Sequence, residues 1–219
     1  MNIKNQNQLK TVFELLLKRY GPQFWWPAEG PFEVMVGAII TQSAAWTNVE
    51  KAIKNLKKAG MLNPSALRKI PLEELAGLIH SCGYYNMKAH KLKALSEWFG
   101  DSYDDDLELM KRTGTASLRN SLLGVYGVGE ETADSILLYA CDKPVFVVDA
   151  YTRRIIDRLD WRVEGGKYAD YQSFFTVNLP PNVRLYNEYH ALLVALGKNQ
   201  CRKKPLCEGC CLAEICKKK

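Results

Sequence analysis

The fold of this chain is decided by one stretch, Leu122-Leu-Gly-Val-Tyr-Gly127-Val-Gly129-Glu-Glu-Thr132-Ala133. Its glycines permit positive φ angles and the close approach of another backbone. The stretch therefore predicts a helix that ends near Leu123, a tight turn, and a second helix from about Glu130 to Tyr139. Amide N–H groups at the start of the second helix would suit a phosphate oxygen. Two interpretations are open: a site that holds a nucleic-acid backbone, or a plain corner between two helices.

Helical periodicity extends over nearly the whole chain. Apolar residues recur at helical spacing within 32–40, 49–56, 72–79 and 92–98, and breakers such as Asn63-Pro64 separate these segments. No stretch shows sustained alternation with hairpin turns, and the short β-branched run Val145 to Val148 is too isolated to build a sheet. The pattern predicts an all-α protein of about ten helices.

Composition limits the class of protein. The 219 residues are 47% hydrophobic and 25% charged, and the net charge of +6 fits a polyanionic partner without requiring one. The longest apolar runs, such as Val34 to Ile40, fall far short of the roughly 18 residues of a membrane span. The polar segment Met1 to Gln6 lacks the apolar core of a signal peptide. These features predict a cytoplasmic, nucleoid-associated protein that has no membrane partner.

An acidic residue follows the apolar run in Val145-Phe-Val-Val-Asp149-Ala-Tyr-Thr. Asp149 is placed to cap the next helix, since aspartate is among the best N-cap residues. A capping carboxylate is held ionised by amide hydrogen bonds and by the helix dipole. A fixed anion near a cleft also suits glycosyl cleavage, where it stabilises an oxocarbenium-like transition state or activates water. The two roles are compatible.

Four cysteines near the C-terminus have the spacing Cys201-x5-Cys207-x2-Cys210-x5-Cys216. In a reducing compartment such a group predicts metal ligation rather than disulfides. Four thiolates bind either Zn or a [4Fe–4S] cluster. Structural zinc sites commonly use two pairs of cysteines, each separated by two to four residues, and here only Cys207 and Cys210 form such a pair. The two wide x5 spacings therefore favour the larger [4Fe–4S] cluster. Cys211 is an alternative ligand to Cys210, although the C-x2-C-x5-C run favours Cys210.

Together, the hairpin, the Asp149 segment and the cysteines resemble the helix-hairpin-helix base-excision DNA glycosylases of the endonuclease III superfamily. The segment from Phe32 to Ser43 looks like the family's first long helix with its glutamine-bearing loop. Gly83-Tyr-Tyr-Asn-Met-Lys88-Ala looks like its Gly-x-Tyr-Asn-x-Lys-Ala loop. The resemblance covers almost the whole chain, and the order of the motifs is highly specific.

The resemblance implies a role for each matching position. Asp149 would be the catalytic aspartate, and the cysteines at 201, 207, 210 and 216 would hold a [4Fe–4S] cluster. Gln42 would fill the gap left by a base flipped out of the duplex, and Tyr84 would wedge the duplex. The hairpin residues that would bind DNA, together with a monovalent cation at the hairpin, are Gly127, Val128, Gly129 and Thr132.

Two departures from the family pattern indicate the subclass. Bifunctional endonuclease III carries a Schiff-base lysine eighteen residues before the aspartate, and here that position is Glu131. A carboxylate does not attack C1′ as an amine does, so the resemblance implies a monofunctional enzyme that uses water. Trp25 and Trp26, in Phe24-Trp-Trp-Pro27, look like the 3-methyladenine glycosylase branch.

Aromatic faces attract a positively charged alkylated purine by about 0.5–2 kcal/mol per contact. The predicted base pocket is therefore Trp25, Trp26 and Glu131. The alternatives are that the tryptophans are core or interface residues, and that Glu131 complements the dipole at the start of a helix.

These expectations combine into two α-helical lobes with a DNA-binding cleft. A six-helix domain at 31–143 would contain the helix-hairpin-helix at about 117–140, and a second domain would join 1–30 to 144–219 with the cluster loop at 201–216. The predicted activity is release of a damaged base, 3-methyladenine-like, from double-stranded DNA by a monomer. An endonuclease III-type oxidised-pyrimidine glycosylase, a mismatch thymine/uracil glycosylase and a non-catalytic DNA-binding module are the alternatives.

Several basic side chains would either neutralise phosphates or form solvated surface. They are Lys88, Arg119, Arg153, Arg154, Lys203, Lys204 and the tail Lys217 to Lys219.

Overall fold

The computed structural model describes residues 3–161 and 163–217, which form twelve α-helices, one 3-10 turn and no strand. The prediction of an all-α fold is confirmed. None of the described helices is long and apolar enough to cross a membrane. The helices are α1 Ile3–Tyr20, α2 Pro31–Ile40, α3 Trp46–Lys58, α4 Pro64–Lys69, α5 Leu72–Leu78, α6 Tyr85–Tyr103, α7 Leu107–Arg112, α8 Thr115–Leu123, α9 Glu130–Tyr139, α10 Ala150–Arg158, α11 Tyr168–Thr176 and α12 Val183–Asn199, with the 3-10 turn at His80–Cys82.

The chain divides into two compact units. The central unit is Ala28–Lys143, and the terminal unit combines Met1–Pro27 with Pro144–Lys219. The central unit holds eight α-helices, α2 to α9, so the sequence-based count of six was wrong. The count missed short helices such as α4 and α7, which have six residues each and show no apolar period. Side-chain caps at Asn63 and Asp106 begin these two helices.

The core of the central unit is built around α2. Eight of its ten residues are buried, and a fully buried aliphatic side chain contributes about 1.5–3 kcal/mol relative to an exposed one. Proline at the first turn starts α2 without loss of a hydrogen bond, since a first-turn N–H has no partner within the helix. Because α2 packs against α6 and α9, it fixes the loop that follows Ile40 relative to the hairpin before α9.

The core of the terminal unit is aromatic. The rings of Phe146 and Phe175 stack with centroids 3.8 Å apart, and Tyr189 meets both edge-on. The hydroxyl of Tyr189 donates to the backbone oxygen of Leu9 at 2.8 Å, which ties α12 to α1 across 180 residues of sequence.

Helix α10 also packs on α12. A Cβ added to Gly197 would lie 2.4 Å from the Tyr151 ring, so the glycine permits this close approach. The packing brings the start of α10, where Asp149 lies, beside α12.

Candidate active site and DNA-binding surface

The hairpin joins α8, which ends at Leu123, to α9, which begins at Glu130, as predicted. Gly127 has a φ of +83°, in the region that favours glycine. A Cβ there would lie 2.3 Å from Cγ of Lys91, so a side chain is excluded by space as well as by conformation. Gly129 is the N-cap residue of α9. The Val128 side chain is buried, whereas Tyr126 in the same turn is 60% exposed.

Gln42 is turned toward the hairpin. Its Nε2 donates to the backbone oxygen of Gly127 and to the hydroxyl of Thr132, both at 3.0 Å. Its Oε1 accepts from the ammonium of Lys91 at 2.6 Å. The side chain expected to fill a gap in DNA is therefore engaged within the central unit.

Tyr84 stands out from the loop before α6. It is 70% exposed and has a φ of +48°, which is uncommon for a residue with a Cβ. The preceding Gly83 also has a positive φ, of +63°. By contrast, the next ring, that of Tyr85, packs on His80 with centroids 4.4 Å apart. The backbone thus exposes the Tyr84 side chain to solvent, whereas the Tyr85 ring packs against the protein.

Lys88 was wrongly placed among the phosphate-contacting or solvated residues. Its side chain is buried, and its ammonium donates to the backbone oxygens of Ile40 at 2.9 Å and Cys82 at 2.8 Å. Burial lowers the pKa of Lys88. The ammonium joins the end of α2 to the loop before Tyr84, and so connects the two loops that carry Gln42 and Tyr84.

Three arginines, for which the sequence left phosphate contact and solvated surface open, have intramolecular partners in the structure. Arg119 forms a two-point pair with the buried carboxylate of Asp134, with Nε–Oδ1 2.7 Å and Nη2–Oδ2 3.1 Å. In the terminal unit, the guanidinium of Arg153 lies over the rings of Tyr168 and Tyr171, and Arg154 donates to the backbone oxygen of Cys201 at 2.8 Å. All three are held by intramolecular partners.

Asp149 caps α10, as the sequence predicted. Its Oδ1 accepts from the backbone N–H of Thr152 at 2.7 Å. Its Oδ2 lies 3.9 Å from Nε2 of His190, which belongs to α12. The carboxylate is buried, with 9% of the residue exposed. The start of α10 thus fixes Oδ1 of Asp149, and Oδ2 faces the imidazole of His190.

The tryptophan pair lies in the terminal unit. The rings of Trp25 and Trp26 are half-buried, with centroids 5.3 Å apart. The ammonium of Lys198, on α12, is 5.5 Å from the centroid of Trp25. One face of Trp25, which the sequence assigned to a cationic base, thus already meets a cation of the protein. Glu131, the third predicted pocket residue, belongs to the central unit and is exposed in the first turn of α9.

The cysteine loop follows α12. All seven cysteines are free thiols, and the five in the loop are half-buried. Backbone hydrogen bonds fold the loop back on itself, including one from Cys210 N–H to the oxygen of Cys207 at 3.1 Å. Within residues 3–161 and 163–217, no three His, Cys, Asp or Glu side chains are arranged to hold a metal ion.

Arg158 at the end of α10 anchors this loop. Its Nη1 donates to Sγ of Cys201 at 3.1 Å and to the backbone oxygen of Arg202 at 2.7 Å. The thiol of Cys216 donates to the backbone oxygen of Arg158 at 3.4 Å. Cys201 and Cys216, the first and last of the four spaced cysteines, therefore both form hydrogen bonds with Arg158. Of the basic tail, Lys218 and Lys219 lie outside the described residues.

A protein-family model described as the HhH-GPD superfamily base excision DNA repair protein matches residues 36–179, about two thirds of the chain. The chain belongs to the HhH-GPD superfamily. The matched region contains the hairpin and Asp149, and this HhH-GPD protein is a DNA glycosylase of base excision repair. The cysteine loop lies beyond the matched region.

Three similar proteins extend this result. The "Putative DNA repair glycosylase" of Methanocaldococcus jannaschii is 46% identical over 94% of both chains. The crystal structure of H. pylori 3-methyladenine DNA glycosylase bound to 1,N6-ethenoadenine is 31% identical, with a TM-score of 0.77 over 89% of this chain and 97% of that one. A trapped endonuclease III–DNA covalent intermediate has a TM-score of 0.83 at 22% identity, over 97% of this chain and 95% of that one, and shares the HhH-GPD fold.

Three residues of this HhH-GPD protein contact predicted positions without having been predicted. His190 lies beside Asp149 and Lys198 beside Trp25 in the terminal unit, and Lys91 binds Gln42 in the central unit. The signal for His190 is a lone polar residue in the apolar run Tyr189-His-Ala-Leu-Leu. Lys91 follows Lys88 by one helical turn on α6, but nothing in the sequence shows that it reaches Gln42. Lys198 comes after the last apolar turn of α12, where a lysine is ordinary.

Proposed function

We propose that this glycosylase hydrolyses the N-glycosidic bond of an alkylated, 3-methyladenine-like base flipped out of duplex DNA, without lyase activity. The observation that carries the proposal is the acidic residue at position 131, in the first turn of α9 after the hairpin. Bifunctional relatives place their amine nucleophile there, and a carboxylate does not form a Schiff base. Water is then the nucleophile, and Asp149 is the acidic group held in place to assist it.

Asp149 would act through its fixed charge. The Thr152 N–H holds Oδ1 at 2.7 Å, so no reorganisation is needed when positive charge develops on the sugar. As the C1′–N bond breaks, the bonding electrons leave with the base and water adds to C1′. The carboxylate stabilises the oxocarbenium-like sugar and accepts a proton from the water. A preorganised charge of this kind is worth roughly 10²–10³ in rate.

Base recognition would use the aromatic segment of the terminal unit, and the role of Glu131 in the pocket stays a prediction. Trp25 and Trp26 offer ring surface for stacking on a purine, and the rings are half-buried. The Lys198 ammonium near Trp25 reduces the cation–π attraction that this ring offers to a cationic base, so stacking on the purine contributes more to recognition there than charge does. The ethenoadenine bound by the H. pylori relative supports this class of base.

DNA would be held by the central unit. The hairpin residues Gly127, Val128, Gly129 and Thr132 would bind the backbone, since backbone amides at a helix start suit phosphate. The exposed Tyr84 would wedge the duplex, and Gln42 would occupy the gap left by the base. The monovalent cation at the hairpin, the monomeric state and the cytoplasmic, nucleoid-associated location stay predictions.

The cysteine loop would hold a [4Fe–4S] cluster. Burial raises the pKa of the Cys210 thiol, and so do the charges of the cysteines at 201, 207 and 216. The other three cysteines are therefore each within electrostatic range of Cys210, and four cysteine thiolates are the donor set that such clusters use.

The other adjacent thiol has different neighbours. Burial raises the pKa of Cys211 to about 11, and Cys210 and Arg19 are the charged residues that act on it. Cys210, its neighbour in the sequence, is the member of the proposed ligand set that acts on Cys211, whereas Cys201, Cys207 and Cys216 act on Cys210 itself. When bound, the cluster would act as a structural centre that closes the loop.

Single-lesion duplexes test the substrate. Wild-type protein is expected to release 3-methyladenine or 1,N6-ethenoadenine faster than thymine from a G·T mismatch or an oxidised pyrimidine. The Asp149→Asn variant keeps an N-cap residue, because asparagine caps as well as aspartate. It should lose at least about 10²-fold in base release and keep its affinity for a duplex with a tetrahydrofuran abasic-site analogue. Equal release by this variant would exclude Asp149 from catalysis, and a preference for thymine or an oxidised pyrimidine would favour the alternative enzymes.

Borohydride reduction tests the absence of lyase activity. Wild-type protein incubated with its substrate should give no covalent protein–DNA adduct, since trapping requires an imine. The Glu131→Gln variant should also give none, because glutamine supplies no amine nucleophile. A trapped adduct with wild-type protein would establish an amine nucleophile elsewhere in the chain.

A further inference from the structure

One amide group links the loop after α2 to the hairpin. The Nε2 atom of Gln42 donates both to the backbone oxygen of Gly127 and to Oγ1 of Thr132, at 3.0 Å each. Gly127 lies in the turn, and Thr132 lies in the first turn of α9. The Gln42 nitrogen thus connects the turn to the start of α9. A phosphate site at the hairpin requires these two parts to keep a fixed relative position.

Lys91 supports the same connection from α6. Its ammonium donates to Oε1 of Gln42 at 2.6 Å, and its methylene groups lie so close to Gly127 that a Cβ there would be 2.3 Å from its Cγ. The ammonium has only donors and the Gly127 carbonyl only accepts. The Gln42 amide therefore has one orientation that satisfies both partners, with its oxygen toward Lys91 and its nitrogen toward the hairpin.

We propose that Gln42 and Lys91 are positioning residues that brace the hairpin for binding of the DNA backbone, before any base leaves the stack. The proposal rests on the proposed function only in taking the hairpin as a DNA-backbone contact. It gives Gln42 a task in the free protein that differs from filling a gap. The brace consists of three hydrogen bonds, one of them charge-assisted, and charge-assisted bonds are roughly twice as strong as neutral ones.

Binding to undamaged duplex DNA separates the two tasks of Gln42, because an intact duplex has no gap to fill. If Gln42 braces the hairpin, Gln42→Ala weakens binding to undamaged duplex and to a tetrahydrofuran duplex by about the same factor. That factor should be roughly three- to tenfold, the loss of one or two net hydrogen bonds. Loss of affinity for the tetrahydrofuran duplex alone would overturn the proposal.

The Lys91→Met variant tests the second half of the brace. It keeps an apolar stem beside Gly127 and removes the ammonium. It should weaken binding to undamaged duplex by a similar factor, and the Gln42→Ala/Lys91→Met double variant should be little weaker than either single variant, because both remove one unit. Fully additive losses would overturn the brace.

Salt dependence distinguishes a brace from a direct phosphate contact by Lys91. Removal of a phosphate-binding lysine lowers the slope of log affinity against log salt by about 1, whereas loss of a brace leaves the slope unchanged. Lys54→Met, at an exposed position of α3, is the matched control for loss of one positive charge. A slope reduced in Lys91→Met beyond that control would make Lys91 a phosphate ligand and overturn its role as a brace.

Hydrogen exchange of the free protein gives a reading that needs no DNA. Amides in residues 127–133 should exchange faster in Gln42→Ala and in Lys91→Met than in wild type, while amides of α12 in the terminal unit should be unchanged. Weaker DNA binding with unchanged exchange would make Gln42 a direct DNA contact and overturn the brace. None of these measurements requires base release, so a wrong substrate assignment and a wrong brace give different results.

Discussion

The Nε2 atom of His190 lies 3.9 Å from Oδ2 of Asp149, and both side chains are buried in the terminal unit. Burial lowers the pKa of His190, and the nearby Asp149 carboxylate opposes that effect only in part. The imidazole is therefore neutral near pH 7. Asp149 faces a neutral dipole rather than a cation, so its negative charge is not neutralised by His190.

The buried histidine makes the stability of the protein sensitive to acid. Unfolded His190 takes up a proton near its ordinary pKa of 6.5, whereas folded His190 does so only at lower pH. Between these two values the unfolded state binds more protons, so the free energy of unfolding falls as the pH drops below about 6.5, by at most about 1.4 kcal/mol per pH unit. The His190→Gln variant should show a smaller fall between pH 7.5 and 5.5 in urea denaturation. An unchanged acid dependence in the variant would contradict the assignment.

Lys198 should influence the charge of the preferred base. Its ammonium lies 5.5 Å from the ring centroid of Trp25, so it repels a cationic base stacked nearby. In Lys198→Met, the kcat/KM ratio for cationic 7-methylguanine over neutral 1,N6-ethenoadenine should rise about fivefold, equivalent to about 1 kcal/mol. Lys198→Arg keeps the charge and should stay within about twofold of wild type. An identical ratio in wild type and Lys198→Met would place the base away from this lysine.

Substitution of the two adjacent cysteines, Cys210 and Cys211, should have different effects on the iron content of the protein. Cys210→Ser should lose most of the protein-bound iron and sulfide and the broad visible absorption, because a [4Fe–4S] cluster needs four thiolates. Cys211→Ser should retain close to four irons per chain. Iron and sulfide analysis of proteins purified without oxygen provides the measurement. Loss in Cys211→Ser with retention in Cys210→Ser would reverse the ligand assignment, and zinc in wild type would replace the cluster.

Gly197 should be necessary for the packing of α10 on α12. A Cβ at this position would lie 2.4 Å from the Tyr151 ring, so Gly197→Ala forces the ring or the helix to move, at a cost of about 1–3 kcal/mol. Gly77→Ala is the matched control in the exposed face of α5, where an added Cβ meets no atom within 4 Å. The control should be stabilised by about 0.5–1 kcal/mol. The midpoint of thermal or urea unfolding measures both, and equal effects would contradict the close approach.

Patterns local in sequence could be predicted, and partners distant in sequence could not. The hairpin and the Asp149 cap depend on a few adjacent residues, so the sequence predicts both. The position of His190 beside Asp149 depends on how α10 packs on α12, which no spacing encodes. The interior position of Lys88 was missed for a different reason, because its partners are the backbone oxygens of Ile40 and Cys82 and backbone groups leave no mark in the sequence.

The orientation of Gln42 shows the same limit within a recognised motif. The resemblance identified the position, but whether the carboxamide points toward DNA or toward the protein depends on Lys91 and Thr132, 49 and 90 residues away. Short helices are also difficult to predict from the sequence. α4 and α7 have six residues each, fewer than two turns, so apolar periodicity gives no signal and only the capping residue marks the start.

The discontinuous terminal unit has a consequence for biosynthesis. Helix α1 receives the Tyr189 hydroxyl from 180 residues downstream, whereas every residue of the central unit comes from one continuous segment, 28–143. During translation the central unit can therefore fold while α1 still waits for its partner. The cysteine loop follows α12 in the chain, so it is synthesised only after the whole hairpin.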